Sequence, residues 1–225
     1  MSMPRRVMRA ALVLGGVGAV LAAPVEAGEA RLQVVTVGGR AETQSDGATT
    51  WSAARLRTEL GPGAMARTLH GRLTLKTTSG QLLRLAAMSR VAVLEQGAPD
   101  QPTAVRVDAG SVWVAVMPGS PAPERLEART PAASVVVGGG GVEIIVDRDG
   151  STLVRVYHGA ATCSGPGSEG RWNRALGSGQ ELFVSSGGQP VETGKLDRDK
   201  INQDWAKWNE DQDLAGGYGS SPPEK

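Results

Sequence analysis

Apolar and polar residues alternate in short bursts through most of the chain, and the bursts end at glycine, proline or aspartate-containing turns. Arg72-Leu-Thr-Leu-Lys-Thr77 sets Leu73 and Leu75 on one face of an extended segment. Ser79-Gly80 turns it into Gln81 to Leu85, and Val91 to Leu94 adds another strand of a meander. The richest stretch runs from Val105 to Thr162. It offers strands at Val105–Val107, Val112–Met117, Ser134–Val137, Val142–Val146 and Thr152–Tyr157, parted by Asp108-Ala-Gly110, four glycines at Gly138 to Gly141, and Asp147-Arg-Asp-Gly150. Pro118 to Pro123 interrupts the pairing, since proline cannot donate to a ladder. Leu32 to Val37 reads as the first strand, followed by a polar loop through Gly47, and Gln180 to Val184 as the last. Period-two patterning broken every 8 to 12 residues or so predicts an all-β domain. Its expected form is an antiparallel sandwich, a jelly roll or a short β-solenoid.

The period changes at Lys195. Ile201, Trp205 and Trp208 recur at i, i+4 and i+7, which predicts one amphipathic C-terminal helix over 195–214 with a charged outer face. Residues 215–225, with Pro222 and Pro223, are predicted to be a disordered tail. In the strand from Val112, the face carrying Val112, Val114 and Val116 is the expected core. Trp113 shares the other face with Ser111 and Ala115, so it packs under a loop or the Trp205/Trp208 helix, or is open to a ligand.

The N-terminus carries Arg5, Arg6 and Arg9, an apolar run from Ala10 to Ala23, and small residues around Val25-Glu26-Ala27. This predicts a signal peptide over 1–27 with cleavage after Ala27, because about 14 apolar residues fall short of the roughly 20 that span a bilayer. The β domain is then 28–194, and the location periplasmic or secreted. Cleavage removes three arginines and one glutamate, so the whole-chain net charge of +1 becomes −1. Such balance argues against nucleic acid or an anionic membrane surface as a partner, and no stable membrane insertion is expected after cleavage. Cys163 is the single cysteine, which rules out an intramolecular disulfide and predicts a buried apolar filler.

Candidate chemistry is sparse. The glycine run lacks the Lys-Ser/Thr of a phosphate loop and reads as a turn or bulge. Asp147-Arg-Asp149-Gly150 lacks the further oxygen ligands of a calcium loop. Asp197, Asp199, Asp211 and Asp213, interleaved with Lys195, Arg198, Lys200 and Lys207, read as a solvated charged face. His70 and His158 are the only histidines, with no nucleophile motif beside them and no zinc-ligand spacing. No catalytic residue, metal site or cofactor is assigned. Five of the eight aromatics are tryptophans. Trp113, Trp172, Trp205 and Trp208 are the candidate interaction surface.

These phrases together resemble the FecR-like domain family of bacterial envelope proteins. The resemblance runs over about residues 32 to 190, through Trp51, Gly61 to Gly63 with Arg67-Thr68, Leu73-x-Leu75 with Gly80 and Leu85. It continues through Val107-x-x-Gly110-x-Val112-x-Val114, Arg129-Thr-Pro-Ala-Ala-Ser-Val-Val-Val-Gly138, Val154-x-Val156-Tyr-His-Gly159 and Gly179-Gln180. Where the family shows a Gly-Thr step, this chain has Gly139-Gly-Gly141. Founding members are membrane-spanning regulators that relay an outer-membrane receptor's state to a sigma factor. A cleaved signal leaves no anchor for that relay. The resemblance implies an exported, non-enzymatic domain that binds or scaffolds in the envelope, toward a protein or a cell-wall glycan. An uncleaved anchor would make it a membrane-anchored regulator instead. A cell-wall hydrolase would require carboxylates such as Glu143 or Asp147 facing a cleft.

Overall fold

A computed structural model describes residues 31–94, 101–121, 124–167 and 170–219. The predicted leader, 1–27, lies outside them. Among the described residues no helix is long and apolar enough to cross a membrane.

The described strands are β1 Leu32–Gln44, β2 Ser52–Ala53, β3 Glu59–Leu60, β4 Met65–Thr77, β5 Leu82–Leu85, β6 Arg90–Val93, β7 Thr103–Val116, β8 Leu126–Arg129, β9 Ser134–Val146, β10 Thr152–Gly167, β11 Gly170–Gly177, β12 Gln180–Val184 and β13 Pro190–Lys195. A 3-10 turn at Arg198–Lys200 and helix α1, Gln203–Gly216, follow. The strands form one hydrogen-bonded sheet in the order β13-β12-β10-β9-β8-β7-β5-β4-β1-β2, with β3, β6 and β11 joined at its sides. Every pairing is antiparallel except β7 with β8. Stacked parallel rungs are therefore absent from the described residues, and the solenoid alternative gives way to the antiparallel one. The main core takes Leu32, Leu75, Leu83, Val114, Val137, Ile144, Val154 and Leu182 from seven strands. No helix covers that face, so the sheet folds over and closes it against itself.

Several predicted short strands are halves of long ones. β9 runs straight through the four glycines, and β7 through Asp108-Ala-Gly110. The physical reason is a bend made by paired glycines. Gly159 (φ +86°) faces Gly140 across β9–β10, and a Cβ there would lie 1.8 Å from the Gly139 carbonyl oxygen. Gly71 (φ +84°) faces Gly39 across β4–β1 with the same 1.8 Å approach, to Gly38. Only glycine allows backbones this close. Bent strands serve two parts of the sheet: the first half of β9 pairs with β8 and the second with β7. Strands β8, β11 and β13 were not legible, since loop-like residues such as Gly170 and Pro190 are held by ladder partners in β10 and β12.

The valine face of β7 lies in the main core as expected, and Trp113 and Ala115 lie on the other face. There they meet Tyr157, Ile201, Trp205, Ala206 and Tyr218 beneath α1. The helix begins at Gln203, not Lys195, because Asp197 caps a separate turn by accepting from the Asp199 amide. The tail predicted from residue 215 is ordered through its first residues: 215–216 complete α1, and buried Tyr218 donates to the Gly80 carbonyl at 2.6 Å. Residues 220–225 lie outside the described residues.

Candidate functional site

Helix α1 is framed by local chemistry. The Asn202 side chain accepts from the Trp205 amide, Asp204 lies in the positively polarised first turn, and Gly217 (φ 78°) closes the last turn onto the Asp213 and Leu214 carbonyls. Its buried stripe is Trp205, Ala206, Asn209 and Asp213. Two of those four are polar, so the helix docks through a polar seam.

The sheet supplies the other half of the seam as a row across five strands. Register aligns Glu181 of β12 with Arg155 of β10, Arg155 with Glu143 of β9, Glu143 with Trp113 of β7, and Trp113 with Arg84 of β5. Charges of opposite sign pair across β12, β10 and β9, while Trp113 and Arg84 find their acceptor on α1. Arg155 Nε donates to Glu181 at 3.1 Å and its Nη1 lies 3.6 Å from Glu143. Glu143 also accepts from the Ser111 and Tyr157 hydroxyls at 2.8 and 3.0 Å. Burial, with the Glu143 charge second, drives the Tyr157 phenol well above its ordinary range.

Asp213 is the hub. Its carboxylate is 0 % exposed and accepts from Arg84 Nη1 at 2.5 Å and Trp113 Nε1 at 2.8 Å. The Arg84 guanidinium also reaches Asn209 Oδ1, at 3.3 Å. His158 Nδ1 accepts from the Gly141 amide at 3.1 Å, which puts the ring proton on Nε2, 3.1 Å from Asp213 Oδ2. This is a His–carboxylate pair, but both ring nitrogens are engaged within the fold. Neither can take a proton from a substrate without breaking the seam. Glu143 is buried in its own bonds and Asp147 sits exposed in a turn, so the two do not flank a common cleft. Among the described residues no group of three or more His, Cys, Asp or Glu is arranged to hold a metal ion. A groove of about 260 Å³ lies beside the second bend, lined by Pro118, the glycines 138–140 and 159, His158 and Tyr218.

The four tryptophans of the candidate surface separate. Trp113 and Trp205 are 0 % and 4 % exposed, because α1 docks on its own sheet. Trp172 is half-buried and pins two loops, its Nε1 donating to the Pro166 and Gly188 carbonyls at 2.8 and 2.7 Å. Trp208, half-buried, stacks on Trp205 at 5.7 Å and carries the Arg72 guanidinium 4.4 Å from its ring centre. Asp213 is a correction too: the residue read as part of a solvated face is the most deeply buried carboxylate of the seam. Its i+8 spacing from Trp205 was the signal available in sequence.

Residues 65–162 match the family model described as FecR protein. Those 98 of the 225 residues are FecR-like. The match begins in β4 and ends in β10, a narrower span than the resemblance over 32 to 190. Two crystal structures share its fold, both of a protein provisionally described as an anti-sigma factor from Parabacteroides distasonis. They are 19 % and 18 % identical, each with a TM-score of 0.51 and coverage of 65 % of this chain. This chain spans 64 % of the length of those proteins. Among curated proteins none matches.

Proposed function

We propose that this FecR-like protein is non-enzymatic and works by binding a protein partner in the bacterial envelope, after export directed by residues 1–27. The observation that carries the reading is the engagement of His158 with Asp213 and of Glu143 with Ser111, Tyr157 and Arg155. The groups that resemble acid–base machinery are spent on joining strands of the sheet and on attaching α1 to it. Kinship in fold with proteins described as anti-sigma factors supports a protein partner over a glycan. Affinity capture from envelope extracts, with a glycan array alongside, tests this. A specific protein partner is the expected result, and turnover of cell-wall polymer by the purified chain would overturn it.

The same kinship favours a second reading, a signalling regulator held by an uncleaved N-terminal anchor. N-terminal sequencing of the exported protein separates the two. A start at Gly28 supports the exported form, and a retained Arg5-Arg6 segment supports the anchored one.

A further inference from the structure

One guanidinium on the helix side of the sheet has no counter-ion. Arg84, Arg155 and Arg198 each pair with a carboxylate there. Arg72 of β4 makes no hydrogen bond or ion pair among the described residues, and its Cζ rests 4.4 Å from the Trp208 ring centre and 5.6 Å from that of Trp205. The ring contact uses none of the guanidinium N–H groups, so the fork that can take a carboxylate through two hydrogen bonds is unmatched among the described residues. A second unanswered donor belongs to the same pair. The Trp205 indole N–H is buried and has no acceptor, the one such side-chain atom among the described residues. A buried donor left unmet is costly, and sheet and helix here supply acceptors to every other one. Arg84, already neutralised by Asp213, stands 5.9 Å from the Trp208 ring and adds no competing acceptor.

We infer that Arg72, Trp205 and Trp208 form a docking site for a carboxylate presented by a protein partner, as an acidic side chain or a chain terminus. One oxygen pairs with the Arg72 fork. The other reaches Trp205 Nε1 once the guanidinium tilts off that ring, while Trp208 offers an apolar wall to the residue beside the acid. The inference rests on the protein-binding reading and names the partner's chemistry.

The five indole N–H signals of ¹⁵N-labelled protein report on the site directly. Acetate and N-acetyl-aspartate are the probes, against chloride at equal ionic strength. The expected result is a saturable shift of the Trp205 signal with a Kd on the order of 10 mM, as suits a lone carboxylate. The Trp113 and Trp172 signals, already bonded, stay still. Arg72→Met keeps the stem against Trp208 and should weaken the response at least tenfold, whereas Arg72→Lys should restore part of it. A shift equal in chloride, no saturable shift, or an undiminished response in Arg72→Met would overturn the site. Capture from envelope extract with wild type and Arg72→Met separates the two levels. A partner held equally by both sinks the site and leaves the binding function standing, while capture of no partner by wild type sinks the function itself.

Discussion

Replacing Asp213 by alanine should undock α1 without unfolding the sheet. The carboxylate is 0 % exposed, and its removal leaves Arg84, 3 % exposed, with only the Asn209 amide oxygen at 3.3 Å. Removing one partner of a buried ion pair costs about 3–5 kcal/mol, because the remaining charge stays in low dielectric. Arg84 can escape that cost if the helix lifts and water enters, so the loss should fall on docking. Trp113 Nε1 and His158 Nε2 also lose their acceptor, which favours the same outcome. Hydrogen exchange should show protection of 203–216 falling by roughly 10²- to 10³-fold, with the amides of Leu75, Val114 and Val154 nearly unchanged. The pair Arg84→Met with Asp213→Leu removes both charges and should recover part of the loss, limited by the two unmet donors. If Asp213→Ala leaves α1 protected, the hub is not what holds the helix. If sheet and helix lose protection together, α1 is part of the global folding unit and the argument for local release fails.

Backbone crowding predicts a sharp contrast among glycines. Gly159→Ala would set a Cβ 1.8 Å from a carbonyl oxygen and should cost more than about 4 kcal/mol or abolish soluble expression, while Gly80→Ala, with open space around it, should cost about 1–2 kcal/mol in urea titrations. Gly141→Ala puts its methyl 2.5 Å from Asp213 Oδ2 and 2.7 Å from Trp113, so tryptophan fluorescence and exchange should report a loosened helix on an intact sheet. Burial raises the Cys163 thiol to about 12, so a thiol reagent near pH 8 should label it only after denaturant unfolds the chain. The Arg129 side-chain hydrogen bond, helped by Ser134, holds Glu127 below the ordinary glutamate value of 4.5. The unfolded chain therefore takes up that proton first on acidification, stability is lost as pH falls below about 4.5, and Glu127→Gln should flatten the urea midpoint between about pH 3 and 6.

Alternation was enough to read the sheet and its inner face. Val112, Val114 and Val116 lie in the core because period two fixes which side chains share a face whatever their partners. It was not enough for strand length, because a glycine that ends a strand and one that bends it are the same letter. What separates them is the second glycine across the ladder, which sequence spacing does not reveal. The polar row from Glu181 to Arg84 was hidden for a related reason. Its members are far apart in sequence and meet only through register, so spacing does not group them. Asp213 looked solvated beside Lys207 and Asp211, yet those two pair on the outer face while Asp213, about 200° further round the helix than Asp211, lies against Arg84.

The two bends show where this chain's individuality lies. His70-Gly71 in β4 and His158-Gly159 in β10 occupy the same place in similar antiparallel strand pairs, and both fall within residues 65–162, which match the family. Opposite His70 stands Arg40; opposite His158 stands Gly141. That fourth glycine is unnecessary for the bend, since its φ is not positive. A side chain there would strike Asp213, His158 and Trp113. Gly141 is thus the imprint of a helix that lies beyond the matched residues, and the first bend, lacking such a seat, keeps His70 exposed. The same helix sets Trp208 against Arg72, two residues past that open bend. The shared domain supplies the bent sheet, and partner choice should therefore move with α1: grafting another FecR-like sheet beneath it would transfer the choice only if Gly141, Trp113, Arg84 and Arg72 came too.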